Sequence, residues 1–160
     1  MKKPVMIAII VVVIILVLLG MIFINLNKEK TSITASNFYT TMSQKGYSVQ
    51  DANSQFSDYD YVQQVYIAAS SDYSYQIEFY ELSDDSYATR FYNNNKSIFE
   101  SSKGNASAET SVNLKNYSKY TLSSSGKYMV VSRIDNTVIY VNVDDEYKDA
   151  VKVALDELGY

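Results

Sequence analysis

The central segment of the chain reads YQIEFYELSDDSYATRF, residues 75–91. Its first half alternates apolar and polar side chains, which is the period-two pattern of a β-strand. Ser83, Asp84 and Asp85 then supply a hydroxyl and two carboxylates, which satisfy the free N–H groups and the dipole at the start of a helix. The residues that follow carry an apolar stripe, Tyr87, Phe91, Ile98 and Phe99. The segment therefore predicts a strand that leads directly into an amphipathic helix.

A similar order of residues recurs 60 positions later. The shift aligns Ile139, Tyr140, Asp144, Asp145 and Tyr147 with Phe79, Tyr80, Asp84, Asp85 and Tyr87. A hairpin turn is expected before each strand, near Asp72 and near Asp135. One interpretation is two β-β-α units related by pseudo-twofold symmetry. The other is a chance match, because helix starts favour Asp in all proteins and Tyr is abundant in this chain.

Other elements are expected on both sides of this segment. Short amphipathic helices are predicted over residues 31–46 and 144–159, each with a polar cap at its start and Gly at its end. Aromatic and β-branched residues predict strands over residues 61–69, 73–80, 112–114, 117–122, 127–133 and 137–143. Residues 101–111, rich in Ser, Gly, Asn and Ala, are expected to form a loop. This pattern predicts an α+β fold, an antiparallel sheet with helices on one face.

The first part of the chain is strongly apolar. Residues 4–24 contain no charge, and the last 20 of them form an apolar run broken only by Gly20. At a rise of about 1.5 Å per residue, this run matches the hydrocarbon core of a bilayer, about 30 Å. It predicts a transmembrane helix over residues 4–26 and a linker over residues 27–30. The alternative is a cleaved signal peptide, but the run exceeds the usual length of about 7 to 15 residues and no small-x-small site follows it.

The lysines on the two sides of this helix give its orientation only a slight bias. Lys2 and Lys3 lie before it, and Lys28 and Lys30 lie after it, so the positive-inside rule favours neither side strongly. A single span with so short a beginning is commonly a signal anchor. That arrangement places residues 1–3 in the cytoplasm and residues 31–160, as one α+β domain, outside it.

The folded part is more acidic than the whole chain. The 160 residues carry a net charge of −4, but from residue 31 onward 10 Lys and Arg stand against 17 Asp and Glu, a net charge of −7. Such a domain repels phosphate backbones, and no basic patch with interleaved aromatic residues offsets the repulsion. Nucleic acid is therefore not an expected partner.

The chain contains neither Cys nor His. Disulfides, thiolate or imidazole metal sites, and Ser-His or Cys-His nucleophiles are therefore excluded. Of the three groups of neighbouring acidic residues, two stand where helix starts are expected, and the sequence after Asp51 has Phe56 where a calcium loop needs Gly. There is no phosphate-binding loop or nucleophile elbow. The sequence predicts a protein that is not an enzyme and that has no metal site and no cofactor.

Tyrosine is the most unusual feature of the composition, with sixteen Tyr and no Trp. Strand alternation sends Ile77 and Phe79 to the core and their neighbours to the opposite face of the sheet. If helices leave that face open, it presents a candidate binding surface made of Gln76, Glu78, Tyr80, Tyr140 and Asn142. Such an aromatic platform suits a sugar or a peptide. The alternative is that Tyr is a favourable strand residue on a half-wet sheet.

Three features together resemble the small, uncharacterised membrane-anchored extracytoplasmic proteins of Gram-positive bacteria. They are Met1-Lys2-Lys3 before the apolar run, a soluble part rich in Tyr, Asn, Ser and Lys, and the closing segment, residues 142–160. The resemblance covers the whole chain as a pattern and carries over no activity. The expected function is a non-enzymatic binding domain, held at the lipid bilayer, that meets a cell-envelope component. The alternative is an accessory subunit or regulator that contacts another membrane protein through the transmembrane helix.

Overall fold

The computed structural model describes residues 14–16, which are helical, and residues 29–160. Over residues 29–160 it shows one seven-stranded antiparallel sheet and three α-helices, so the predicted α+β class is confirmed. The elements are α1 (Ala35–Gln44), β1 (Ser48–Asp51), β2 (Val62–Ala69), β3 (Gln76–Leu82), α2 (Asp85–Ser101), β4 (Ser107–Asn113), β5 (Tyr117–Ser124), β6 (Lys127–Ile134), β7 (Thr137–Asp144) and α3 (Lys148–Glu157). Short 3₁₀ turns lie at Asn53–Phe56 and Asp145–Tyr147.

The sheet is built from two meanders that join at its centre. Its strand order is β1-β2-β3-β7-β6-β5-β4, so β1 to β3 form one side and β4 to β7 the other. At the junction β3 pairs with β7, with Phe79 opposite Ile139 and Glu78 opposite Tyr140. We call the end of the sheet with the β4–β5 and β6–β7 turns the entry end. The end with the β2–β3 and β5–β6 turns is the distal end.

The helices cover both faces of the sheet, so the prediction that they share one face is wrong. Phe38 of α1 and Leu155 of α3 pack with Phe79 and Ile139 in one buried cluster. The second cluster lies on the opposite face, where α2 contributes Ala88, Tyr92 and Phe99 to a layer of strand residues, Tyr80, Leu82, Leu122, Val131 and Val138. Because these strand residues make the second face apolar as well, it also needs a helix to exclude water.

The 60-residue similarity describes the central strands but does not extend to the helices. A twofold axis that relates neighbouring antiparallel strands runs perpendicular to the sheet, so it keeps each helix on the same face. However, α2 and α3 lie on opposite faces. A 3₁₀ turn separates β7 from α3, and within this turn Tyr147 stacks on Tyr75, with ring centroids 5.0 Å apart. The interpretation as two symmetric β-β-α units is therefore wrong in three dimensions.

Several element boundaries differ from those predicted. The side chains that cap the first two helices are Thr34 and Asp84, each one to three residues later than expected. Residues 107–111, predicted as a loop, belong to β4, and β1 was not predicted. Both are edge strands, and β4 is composed mainly of small polar residues with low strand propensity. β4 is nevertheless a strand because it pairs with β5 along its whole length.

The predicted transmembrane helix, residues 4–26, lies outside the described residues except for residues 14–16. Among the residues that the structure does describe, no helix has the length and apolar character needed to cross a bilayer.

Residues 29–35, the entry segment, are fixed to the entry end of the sheet. The Lys30 N–H donates to Asn116 Oδ1 at 3.0 Å, and Asn116 Nδ2 donates back to the Lys30 carbonyl at 2.7 Å. The Lys30 ammonium donates to the Gly159 carbonyl at 2.7 Å, and Glu29 forms an ion pair with Lys115 at 2.6 Å. The chain therefore enters the domain along a defined path rather than through a free linker.

Candidate functional site

A groove of about 440 Å³ lies on the α2 face at the distal end of the sheet. It crosses the ends of β2, β3, β7 and β6, where α2 no longer covers the strands. We call it the distal groove, and it is lined chiefly by Tyr73, Gln76, Glu78, Lys127, Tyr140 and Asn142. Four of the five residues predicted as a binding surface are among these six: Gln76, Glu78, Tyr140 and Asn142.

Strand alternation and the β3–β7 register bring these four residues together. Glu78 lies directly opposite Tyr140. Gln76 and Asn142 each lie two residues further toward the distal end and thus on the same face. Gln76 and Asn142 are exposed, and Glu78 and Tyr140 are half-buried. The amides of Gln76 and Asn142 therefore form the exposed rim of the groove, and the Glu78 carboxylate and the Tyr140 phenol lie deeper.

Tyr80, the fifth predicted residue, is not on the surface. It is only 6% exposed, because Phe91 of α2 packs against its ring with centroids 4.6 Å apart. Its hydroxyl donates to Glu78 Oε2 at 2.5 Å. Burial and the neighbouring Glu78 carboxylate raise the pKa of Tyr80 far above its ordinary value of 10. The prediction that Tyr80 is exposed is therefore wrong. Its buried side chain instead holds the Glu78 carboxylate through a hydrogen bond.

The Glu78 carboxylate is the central acceptor of the groove. Gln76 Nε2 donates to Oε1 at 2.9 Å, and Tyr80 donates to Oε2. Because a carboxylate oxygen accepts more than one hydrogen bond, both oxygens keep acceptor capacity toward the groove. At the rim, Lys127 forms an ion pair with Asp144 at 2.7 Å, which leaves Glu78 as the charge without a counterion in the groove. The groove is therefore mildly acidic and rich in hydrogen-bonding groups.

Tyr140 forms the floor of the groove where it meets α2. Its ring packs against Phe99, with centroids 5.4 Å apart. Burial and the charge of Glu78 raise the pKa of the Tyr140 hydroxyl above its ordinary value. The hydroxyl therefore stays protonated at neutral pH and remains a hydrogen-bond donor. A smaller groove of about 210 Å³ adjoins here and shares Lys127, Tyr140 and Asn142, so the recess continues below Ile98 at the end of α2.

Tyr73 and Lys127 line the groove but were not predicted, and Tyr73 is the more exposed of the two. It lies at the tip of the β2–β3 turn with 68% of its surface exposed, and its backbone is left-handed, with φ of 58°. Its hydroxyl lies 3.5 Å from Ser48 Oγ, so the ring leans over the α2 face. The turn signal in the sequence, Ser70 to Asp72, ends just before Tyr73, and an aromatic residue after a turn looks like the first residue of a strand.

The Asp72 carboxylate holds this turn in place. It accepts hydrogen bonds from Ser70 Oγ at 2.7 Å, from Ser74 Oγ at 2.7 Å and from the Ser74 N–H at 3.1 Å. These donors lower the pKa of Asp72 from its ordinary value of 3.8 to about 2. All three bonds are made to Oδ1, which accepts more strongly when the carboxylate is ionised, so the charge on Asp72 helps to hold the turn that carries Tyr73.

The β2–β3 turn is expected to loosen in acid. Because the pKa of Asp72 is lower in the folded state, its contribution to stability is complete above about pH 4 and is lost as the pH falls toward about 2. A carbon-detected NMR titration should place the midpoint of the Asp72 carboxyl near 2, with parallel shifts in the Tyr73 and Ser74 amides. Asp72→Asn should abolish the amide shifts. A midpoint at the ordinary value would show that the turn does not depend on this charge.

The distal groove offers hydrogen-bonding groups and aromatic surface, and its acidic side chains are Glu78 and Asp144. Within residues 14–16 and 29–160, no three acidic side chains come close enough together to hold one. The chain also lacks His and Cys, the usual nitrogen and sulfur ligands. Comparison of this chain with models of protein families, with curated proteins and with solved structures gives no match.

Proposed function

We propose that this protein is a non-enzymatic binding domain, anchored in the membrane by its N-terminal helix, that captures a cell-envelope component outside the cytoplasm. One observation carries the proposal: Gln76, Glu78, Tyr140 and Asn142 line one groove at the end of the sheet opposite the entry segment. The resemblance to small membrane-anchored extracytoplasmic proteins of Gram-positive bacteria points to the same location.

The anchor is supported by the sequence and by the described part of the N-terminal region. Residues 4–24 carry no charge. Ile14, Ile15 and Leu16 are helical, and their side chains are 53%, 49% and 62% exposed. Three successive large apolar side chains span about 200° of the helix circumference, and such a wide exposed apolar surface is favourable in lipid and unfavourable in water. A lipid bilayer is therefore the surrounding that suits this segment.

A binding role, rather than catalysis, is supported by the chemistry of the groove. The groups that line it are amides, phenols, a carboxylate held by Gln76 and Tyr80, and an ion pair. With no His or Cys in the chain, the common activated nucleophiles are excluded. The arrangement resembles a ligand pocket in having a few polar groups that converge from a rigid sheet.

The full chain is expected to remain with the membrane after alkaline carbonate extraction, whereas a variant that lacks residues 1–28 should be recovered in the soluble fraction. In intact cells without an outer membrane, added protease should digest residues 31–160 while a cytoplasmic marker stays intact. A domain that is protected in intact cells and cleaved only after lysis would place it in the cytoplasm and contradict the proposal.

The role of the anchor is tested by replacing residues 4–24 with an unrelated spanning helix. We expect envelope capture, measured by crosslinking in cells, to be unchanged, because the groove lies at the end of the sheet opposite the entry segment. Loss of the crosslinked partner in this variant, with normal amounts of protein in the membrane, would instead favour an accessory subunit that uses its helix for recognition.

A further inference from the structure

We propose that the distal groove binds a neutral carbohydrate chain, presented to it by the cell envelope at a distance from the bilayer. The inference rests on the proposed function for the location of the domain, and on the groove itself for the chemistry of the ligand. Four features carry it: the strands beneath the groove, the side chains that line it, the conformation of Tyr73, and the path of the entry segment.

The strands beneath the groove are all interior strands. β2, β3, β7 and β6 each have a hydrogen-bonded neighbour on both sides. An extended peptide gains most of its affinity for a sheet by pairing with the backbone of a free edge, and this sheet has its edges at β1 and β4. Recognition in the distal groove therefore has to come from side chains. This favours a ligand that carries many hydroxyls over an extended peptide.

The lining side chains suit such a ligand. Gln76 and Asn142 each present an amide that both donates and accepts, and the half-buried Glu78 carboxylate accepts strongly from hydroxyls. The Lys127 ammonium is paired with Asp144, and the groove keeps the negative charge of Glu78. This charge repels polymers that carry phosphate or carboxylate groups. An uncharged sugar chain meets no such repulsion.

Tyr73 has a backbone conformation that is unusual for a tyrosine. Bulky side chains rarely adopt positive φ, which Gly and Asn tolerate far better. Tyr73 nevertheless holds φ of 58° and keeps a large aromatic ring exposed at the mouth of the groove. The turn needs this conformation, as the turns at Ser125 and Asp135 do, but Gly or Asn would adopt it at less cost, so a tyrosine here indicates a role for its side chain. An exposed ring beside amide and carboxylate groups can stack on the apolar face of a sugar while the hydroxyls of the sugar are hydrogen-bonded.

The entry segment turns the groove away from the bilayer. Residues 29–35 are fixed at the entry end, through Lys30 to Asn116 and through the Ala35 N–H to Glu81 at 3.1 Å. β7 runs from the entry end to the distal end, and its eight residues span about 25 Å. On the proposed anchor, a groove this far from the point of entry is expected to stand clear of the lipid headgroups. The sugar chain is therefore a polymer of the envelope and not a glycolipid headgroup.

The test uses the full chain, labelled with ¹⁵N and reconstituted in nanodiscs of zwitterionic lipid. The probes are two neutral oligosaccharides, a tetramer of N-acetylglucosamine and maltotetraose, with a glycerol phosphate polymer and an unstructured Gly-Ser-Ala peptide for comparison. We expect at least one neutral oligosaccharide to bind, with amide shifts concentrated at Gln76, Glu78, Tyr140 and Asn142. The phosphate polymer and the peptide should cause no shifts there.

Tyr73→Asn separates binding from folding. Asn tolerates the left-handed backbone, so the thermal midpoint of this variant should equal or exceed that of the natural chain, while its affinity for the oligosaccharide should fall at least tenfold. Tyr39→Asn is the matched control, because Tyr39 is also an exposed tyrosine, 46% exposed, but belongs to α1 on the other face of the sheet. Its affinity should be unchanged.

The proposal is overturned if neither neutral oligosaccharide shifts the groove amides, if the phosphate polymer or the peptide binds there instead, or if Tyr73→Asn binds as tightly as the natural chain. These results do not depend on where the domain lies in the cell. An extracytoplasmic domain that fails them retains the proposed function without the carbohydrate ligand, whereas cytoplasmic placement by the protease experiment overturns the proposed function itself.

Discussion

Phe79→Ala is expected to lower the free energy of unfolding by about 3–5 kcal/mol. Phe79 is fully buried at the junction of the two meanders, and its ring stacks on Phe38 with centroids 4.9 Å apart. The substitution removes apolar contacts and leaves a cavity between β3, β7 and α1 that a sheet cannot readily close. Because small domains are stable by only about 5–15 kcal/mol, this loss is a large share of the total. Urea unfolding of the full chain in detergent micelles, followed by far-UV circular dichroism, measures it.

Ile98→Ala is the matched control for Phe79→Ala. It also truncates a large apolar side chain, but Ile98 is 62% exposed on α2. Its effect should stay within about 0.5 kcal/mol. If the two variants lost similar amounts of stability, the junction between β3 and β7 would not be the centre of the core.

Asn116→Ala is expected to release the entry segment and to cost about 2 kcal/mol of stability. The Asn116 side chain makes both hydrogen bonds to the Lys30 backbone and donates to Asp135 Oδ1 at 2.9 Å. Each such bond contributes about 0.5–1.5 kcal/mol, and the exposed carbonyl and N–H of Lys30 regain part of this from water. Before Ala35, the entry segment then keeps the exposed polar contacts of the Lys30 ammonium and of Glu29, which add little stability. The domain is therefore expected to gain freedom to tilt on the proposed anchor.

This tilt is measurable because the chain has no Cys, so a single introduced Cys is labelled without background. A fluorophore on Ser71→Cys, at the exposed β2–β3 turn, should be quenched weakly by a lipid-borne quencher in the natural background. It should be quenched clearly more with Asn116→Ala, and not with Asn105→Ala, which alters an exposed loop asparagine. Equal quenching in all three would show that the entry segment does not orient the domain.

The parts of the fold that were predicted correctly are those that a local pattern encodes. A few residues are enough to predict three of the elements. The period-two alternation of residues 75–82 predicts a strand, and the acidic cap before α2 and the apolar stripe of α3 each predict a helix. The same alternation placed four of the five candidate residues on one face of the sheet, because side-chain direction in a strand depends only on parity. The groove at which they meet follows from the β3–β7 register, which places Glu78 opposite Tyr140, whereas the 60-residue similarity aligned Tyr80 with Tyr140.

The parts that were missed depend on distant contacts. The sequence of β3 does not show whether the Tyr80 face is open, because this depends on where α2 returns after a turn whose direction no local pattern specifies. β4 is a strand only through its pairing with β5. Tyr73 has a side chain typical of strands but a backbone conformation typical of Gly or Asn in a turn. Only the hydrogen bonds around Asp72 show that Tyr73 belongs to the turn.

The junction between the two meanders also determines the order in which the chain becomes structured. Within each meander, short connections join neighbouring strands. The longest of them in the first meander, between β1 and β2, contains a 3₁₀ turn. Phe79 and Ile139 are 60 residues apart, so pairing β3 with β7 closes a far longer loop than any hairpin does. Local hairpins form in about 1–10 μs, whereas contacts of high sequence separation slow folding by orders of magnitude. We therefore expect the pairing of β3 with β7 to be the slowest step of folding. A chain made from its N-terminus can form the first meander while the second is still being synthesised.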